Sequence, residues 1–168
     1  MKRFICVLIC ILSLLGFSAC AKKNAEIQEP ANFYYVNKDL SYNTPSGVIC
    51  AEIREAVMLQ KNLDAFLHEY LKGPENSDLQ TYIPSDVEII SCEQDGDTLN
   101  LTFSEGFAKL TGTRLSTAAC ALLMSVHDYV GVETISIRVN NGLLEDKEEL
   151  VLTVSDIVLV DPVILEAP

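Results

Sequence analysis

Apolar positions along this chain change spacing several times, and each change marks an element. An almost wholly apolar run from Phe4 to Phe17 follows the positive start Met1-Lys2-Arg3 and gives way to Ser18-Ala19-Cys20 and a polar stretch, AKKNAEIQEPA. NFYYVNKDLSY and the partly alternating VICAEIREAV, separated by Asn43-Thr44-Pro45-Ser46-Gly47, then predict an N-terminal strand hairpin. Leu63, Phe66, Leu67, Tyr70 and Leu71 recur at helical spacing, and Gly73-Pro74 stops that helix. Two alternating runs, VEIISCEQ and TLNLTF, flank an Asp95-Gly96 turn and predict a second hairpin, with Leu99, Leu101 and Phe103 facing in and Asn100 and Thr102 facing out. Leu115, Ala118, Ala119, Leu122, Val126 and Tyr129 lay out a longer helix, capped by Thr113 and ended by Gly131. A strand with Ile135, Ile137 and Val139 inward runs to Asn141-Gly142, and ELVLTVSDIVLVDP adds one or two edge strands.

The order helix, strand, strand, helix, strand describes an α+β fold. It is a two-layer sandwich with an N-terminal hairpin and C-terminal edge strands, in which both helices cover one sheet face and the other stays wet. Leu67, Leu101, Phe103, Leu122 and Ile137 are the expected core. The outward positions Asn100, Thr102, Ser136 and Arg138 are the candidate interaction surface, with Lys61, Asp64 and Glu69 beside them on the first helix.

The first twenty residues carry a second message. The apolar run is several residues short of the about 20 that span a bilayer, so its layout is that of a secretory signal. Phe17-Ser18-Ala19-Cys20 resembles the lipobox of bacterial lipoproteins, with Phe17 where leucine is usual, and implies cleavage before Cys20 and its lipidation. The expected organisation is a signal at 1–19, a lipidated Cys20 with a tether at 20–31, one domain at 32–142 and a C-terminal extension at 143–168. Two acyl chains on Cys20 would contribute on the order of 20 kcal/mol of membrane attachment, at about 0.8 kcal/mol per buried methylene.

The formal charge is −12, and −14 once Lys2 and Arg3 leave with the signal. Nucleic acid is thereby excluded as a partner, since neutralising phosphates needs a basic face. Cys50, Cys92 and Cys120 remain in the folded part; three thiols make no complete disulfide framework and are expected to be buried. His68 and His127 each lie in a predicted helix without a triad or metal pattern. Asp95-Gly96-Asp97 lacks the oxygens of a calcium loop, Glu145 to Glu149 reads as a solvated loop, and Glu52 with Arg54 reads as a pair within the sheet. No catalytic residue, metal or cofactor is expected.

YLKGP at Tyr70 to Pro74, Ile83-Pro84, LTFSEGF at Leu101 to Phe107, the long second helix and IRVNNG occur in an order that resembles the GerMN domain of bacterial sporulation and spore germination lipoproteins. Ser85-Asp86 stands where that domain usually has Gly-Thr, and one copy is present where some members have two. The resemblance implies a fold like the ring-building motif and a non-enzymatic role through cell-envelope or sporulation proteins, or through self-association, at a lipid-anchored extracytoplasmic site. A module binding cell-wall glycan or a small ligand is the second reading, and a hydrolase the third.

Overall fold

The structure is a computed structural model that describes residues 30–39, 47–54 and 62–157 together with the strand Val163–Glu166. Cys20, the signal, the tether, Lys61, and the Asn43 to Ser46 part of the first turn lie outside the described residues. Within them the fold is α+β, with two four-stranded sheets and two α-helices.

Strands β1 (Ala31–Asn37) and β2 (Ile49–Arg54) form the N-terminal hairpin, in register from Ala31 opposite Arg54 to Val36 opposite Ile49. This register places Phe33 and Tyr35 beside Glu52 and Cys50 on one face. Helix α1 (Leu63–Leu71) covers that face with Phe66 and Tyr70; Asn62 caps it by accepting from the Ala65 N–H at 3.2 Å. Gly73, at φ +87°, ends the helix in the left-handed region, and Pro74 follows. A short strand inside the expected loop, β3 (Leu79–Gln80), pairs with the end of β1. Two residues are too few to leave a periodic signal.

Strands β4 (Ile89–Asp95) and β5 (Thr98–Phe103) are the second hairpin, closed by Asp95 opposite Thr98 around Gly96-Asp97. Gly96 sits at φ +58° in the first loop position, where this tight turn needs glycine. A 3-10 turn, Glu105–Lys109, leads to α2 (Gly112–Val130). The helix begins earlier than expected, with Thr111 at the N-cap position and Thr113 inside the first turn. The Thr111 side chain makes no capping bond; instead the Glu145 carboxylate accepts from the Gly112 N–H. From α2 the chain returns as β6 (Thr134–Val139), parallel to β5, and β7 (Leu150–Thr153) pairs antiparallel on the far side. After a 3-10 turn at Val154–Asp156, β8 (Val163–Glu166) pairs in parallel with β2.

The strand orders are therefore β3-β1-β2-β8 and β4-β5-β6-β7. The hairpin does not extend the main sheet but builds a second one, a division that alternation cannot reveal because period two specifies a face and not a neighbour. Leu67, Leu101, Phe103, Leu122 and Ile137 are all buried, as expected, in one apolar cluster drawing on both sheets and both helices. Where β3 leaves β1 unpaired, α2 lies along the strand: the Tyr34 N–H donates to Ser125 Oγ at 2.9 Å and Asn32 Nδ2 to Asp128 Oδ2 at 2.7 Å. Among the described residues no helix is long and apolar enough to cross a membrane.

Candidate functional site

Alternation in the β4-β5-β6-β7 sheet sends Leu99, Leu101, Phe103, Ile135, Ile137 and Val139 into the core and leaves a polar outer face. Its cross-strand rows follow from the register. Ser91, Thr102 and Arg138 form one; Glu93, Asn100, Ser136 and Val151 a second; Asp95, Thr98, Thr134 and Thr153 a third.

The four expected surface residues do lie together here, but they are not equivalent. Asn100 and Thr102 are half-buried neighbours on β5. Ser136, expected in solvent, is only 4% exposed: its hydroxyl donates to Glu149 just before β7. Arg138 is exposed, yet its guanidinium also donates to Glu149, at 3.0 Å. The Ser136 hydroxyl and then Arg138 hold the Glu149 carboxyl below the usual carboxylate range. The acidic stretch at 145–149 is thus only partly a solvated loop, since Glu145 caps α2 and Glu149 clamps β6. A longer-range partner of this kind has no sequence spacing to betray it.

Beside this face, β4 is an edge strand. A bulge between Ile89 and Ser91 turns Ile90 out to 52% exposure, and Ser91, Glu93, Gln94 and Asp95 are exposed with it. Around the start of β4, His68, Leu71 and Lys72 of α1 face Ser85, Val87, Glu88 and Ile89 across an open cleft of about 450 Å³. A smaller hollow of about 170 Å³ lies between Tyr34, Met124, His127, Asp128, Val154 and Ile157. Burial and then the Asp128 charge push the Tyr34 phenol up there.

Groups capable of covalent or metal chemistry are dispersed. His68 is exposed, 3.7 Å from Asp64, while His127 Nδ1 meets the Val132 carbonyl at 2.9 Å and so carries a proton there. Cys50 is buried in the hairpin sheet; Cys92 and Cys120, expected to be buried, are partly exposed because β4 is an edge and Cys120 borders the exposed side of α2. None of the three is joined in a disulfide. Burial raises each pKa, with Asp64 adding to it at Cys92 and Asp156 at Cys120, so none is a ready nucleophile at neutral pH. Among the described residues no group of three His, Cys, Asp or Glu side chains could hold a metal.

The most ordered charges lie elsewhere. Glu52 and Arg54 form the expected pair on β2, Nε to Oε1 at 2.6 Å, and both are buried. Arg54 also donates to the Gly73 carbonyl at 2.6 Å and lies over the Phe33 ring at 4.7 Å, while Glu52 accepts from the Glu75 and Asn76 N–H groups at 3.2 and 2.7 Å. With every partner satisfied, this cluster pins the end of α1 to the hairpin sheet.

The model of the Germane family, described as sporulation and spore germination, matches residues 32–145. The chain belongs to the Germane family. Its fold is similar to the tandem GerMN domains of the sporulation protein GerM from Bacillus subtilis, with a TM-score of 0.54, 18% identity and 73% of this chain covered. The match takes in only 44% of that tandem chain, so this chain spans less than half of it. A Clostridium perfringens structure described as a candidate lipoprotein matches with a TM-score of 0.49 and 13% identity over 77% of this chain and 89% of that one. No curated protein matches. The Germane stretch stops at residue 145, so β7, Glu149 and β8 lie past it although both strands complete its sheets.

Proposed function

We propose that this Germane protein is an extracytoplasmic interaction module, held to the membrane by lipid on Cys20, that serves sporulation or spore germination by assembling with envelope proteins and not by catalysis. The observation that carries this reading is the polar, ordered outer sheet face with an open strand beside it, together with described histidines and cysteines that lie apart from one another. A flat face with an edge is a surface for another protein, because it offers main-chain groups without enclosing a small substrate. The glycan and small-ligand alternative has less support: the 170 Å³ hollow is below the usual size of ligand pockets, about 300 Å³ and more, and no Phe, Tyr or Trp side chain lines the larger cleft.

The decisive experiment captures cross-linked partners on the full-length chain in spore-forming cells, during growth and during sporulation. Sporulation-specific envelope proteins captured by the wild type, and lost when Asn100 and Thr102 are replaced by bulky residues in a folded protein, are the expected result. Retention of every partner and of the phenotype by all such surface variants, together with loss on changing the Tyr34 and Met124 hollow, would hand the function to ligand binding. In parallel, a clickable fatty acid should label the wild type and not Cys20→Ala; equal labelling removes the lipid anchor.

A further inference from the structure

The geometry points to β4 as a docking edge for an extended basic segment of a partner protein, seated between the strand and the exposed flank of α1. This rests on the interaction reading above and specifies the chemistry of the partner.

The first support is the ladder. Asp95 and Thr98 close a two-residue turn, which makes them a hydrogen-bonded pair, and the pairs Glu93 with Asn100 and Ser91 with Thr102 repeat that bonding at every second position. Cys92 and Gln94 therefore aim their N–H and C=O groups away from β5. No described strand receives them.

The second support is the wall opposite. His68, Leu71 and Lys72 toward the end of α1 share the open cleft with Val87 and Ile89 at the start of β4. An added strand would lie with alternate side chains toward half-buried Leu71 and Ile89 and the others over Ser91, Glu93 and Asp95.

Charge selects the occupant. Among the described residues, no ion pair engages Glu88, Glu93 or Asp95, and the chain as a whole carries −12. Antiparallel pairing of two β4 edges would set these acids against their own copies, which is unfavourable. Acidic side chains and the Ile90 bulge thus exclude a copy and admit a cation. The matching segment alternates apolar residues with lysine or arginine.

The test uses the full-length chain and a labelled heptapeptide, acetyl-Lys-Val-Arg-Val-Lys-Val-Arg-amide, with a counterpart carrying Glu at every basic position. Anisotropy titration should show saturable binding of the basic peptide and none of the acidic one. Amide exchange at Cys92 and Gln94 should slow at least tenfold, and Glu93→Lys with Asp95→Lys should weaken binding at least tenfold. Gln94→Pro deletes a free-edge donor and spares the β5 ladder, so it should abolish binding with the melt unchanged. Should that variant not fold, the same peptide methylated on alternate main-chain nitrogens interrupts pairing from the other side. Undiminished binding by Gln94→Pro or by the methylated peptide, protection at other amides only, or no binding of the basic peptide would each overturn the docking edge. Envelope partners still captured by the Glu93→Lys, Asp95→Lys chain would overturn it too and leave the interaction reading standing; capture of nothing by the wild type sinks that reading whatever the peptide does.

Discussion

The two sheets of this molecule dispose of their polar groups in opposite ways. In the β3-β1-β2-β8 sheet, carboxylate, guanidinium and phenol turn inward and are matched, Arg54 with Glu52 and Tyr35 with the Tyr70 carbonyl at 2.9 Å, and the Tyr34 N–H is met by Ser125 of α2. In the β4-β5-β6-β7 sheet the polar residues turn outward, and Glu149 clamps Ser136 and Arg138 of β6. Closure of the first sheet leaves little for a partner to grip, and openness of the second costs little stability. Binding capacity and stability are therefore separable by mutation.

The largest expected effect tests the closed side. Arg54→Met should destabilise by about 3 to 5 kcal/mol in urea unfolding, since it strands the Glu52 carboxylate in the core. Adding Glu52→Gln should recover part of that loss, because no bare charge then remains. A double mutant as unstable as the sum of the singles would mean the two residues are not coupled. Next, Ser125→Ala should cost about 1 to 3 kcal/mol by leaving the Tyr34 N–H without an acceptor, and exchange at that amide should accelerate. Glu145→Ala should cost about 1 kcal/mol through loss of the α2 cap, read as a lower thermal midpoint.

On the open side, Asn100→Ala and Thr102→Ala should move stability by about 0.5 kcal/mol or less, and an effect several times larger would mean the face is covered. The smallest effect is acid sensitivity. Asp86, held down first by its bond from Lys109, and Glu149, held down by Ser136 and Arg138, have folded pKa values below their unfolded ones. Their stabilisation is complete above the ordinary carboxylate range, near pH 4, and is lost as pH falls through the folded values. Asp86 is exposed and Glu149 about a third exposed, so solvent screens both and Glu149→Gln should flatten the acid limb of the stability curve only slightly.

Much of this contrast was legible in the sequence. Alternation in TLNLTF and TISIRV separated core from face, and the stripe from Leu63 to Leu71 with Gly73-Pro74 located α1. The Glu52 and Arg54 pair followed from spacing two on a strand. The remainder depended on separations that local patterns do not encode. Ser125 meets Tyr34 ninety-one residues away, and Gly112 meets Glu145 at a separation of thirty-three. Ser136 was expected in solvent because its parity is outward; parity assigns a side and does not say whether a later segment crosses it. The β4 edge was open to suspicion from sheet logic, but its cleft with α1 needed the packing of both.

Order of synthesis adds one more distinction. The four strands β4 to β7 are all present once the chain has been made to Thr153, whereas Cys50 on β2 waits for Val163 on β8. Chains are made from the amino end at about 5 to 20 residues per second and tend to fold as they emerge. The open sheet can thus assemble first, while the closed one keeps a bare β2 flank until Val163–Glu166 has been made. A released chain truncated after Thr153 would carry an accessible strand that β8 covers in the longer chain, and that form is where chaperone dependence and mispairing should concentrate.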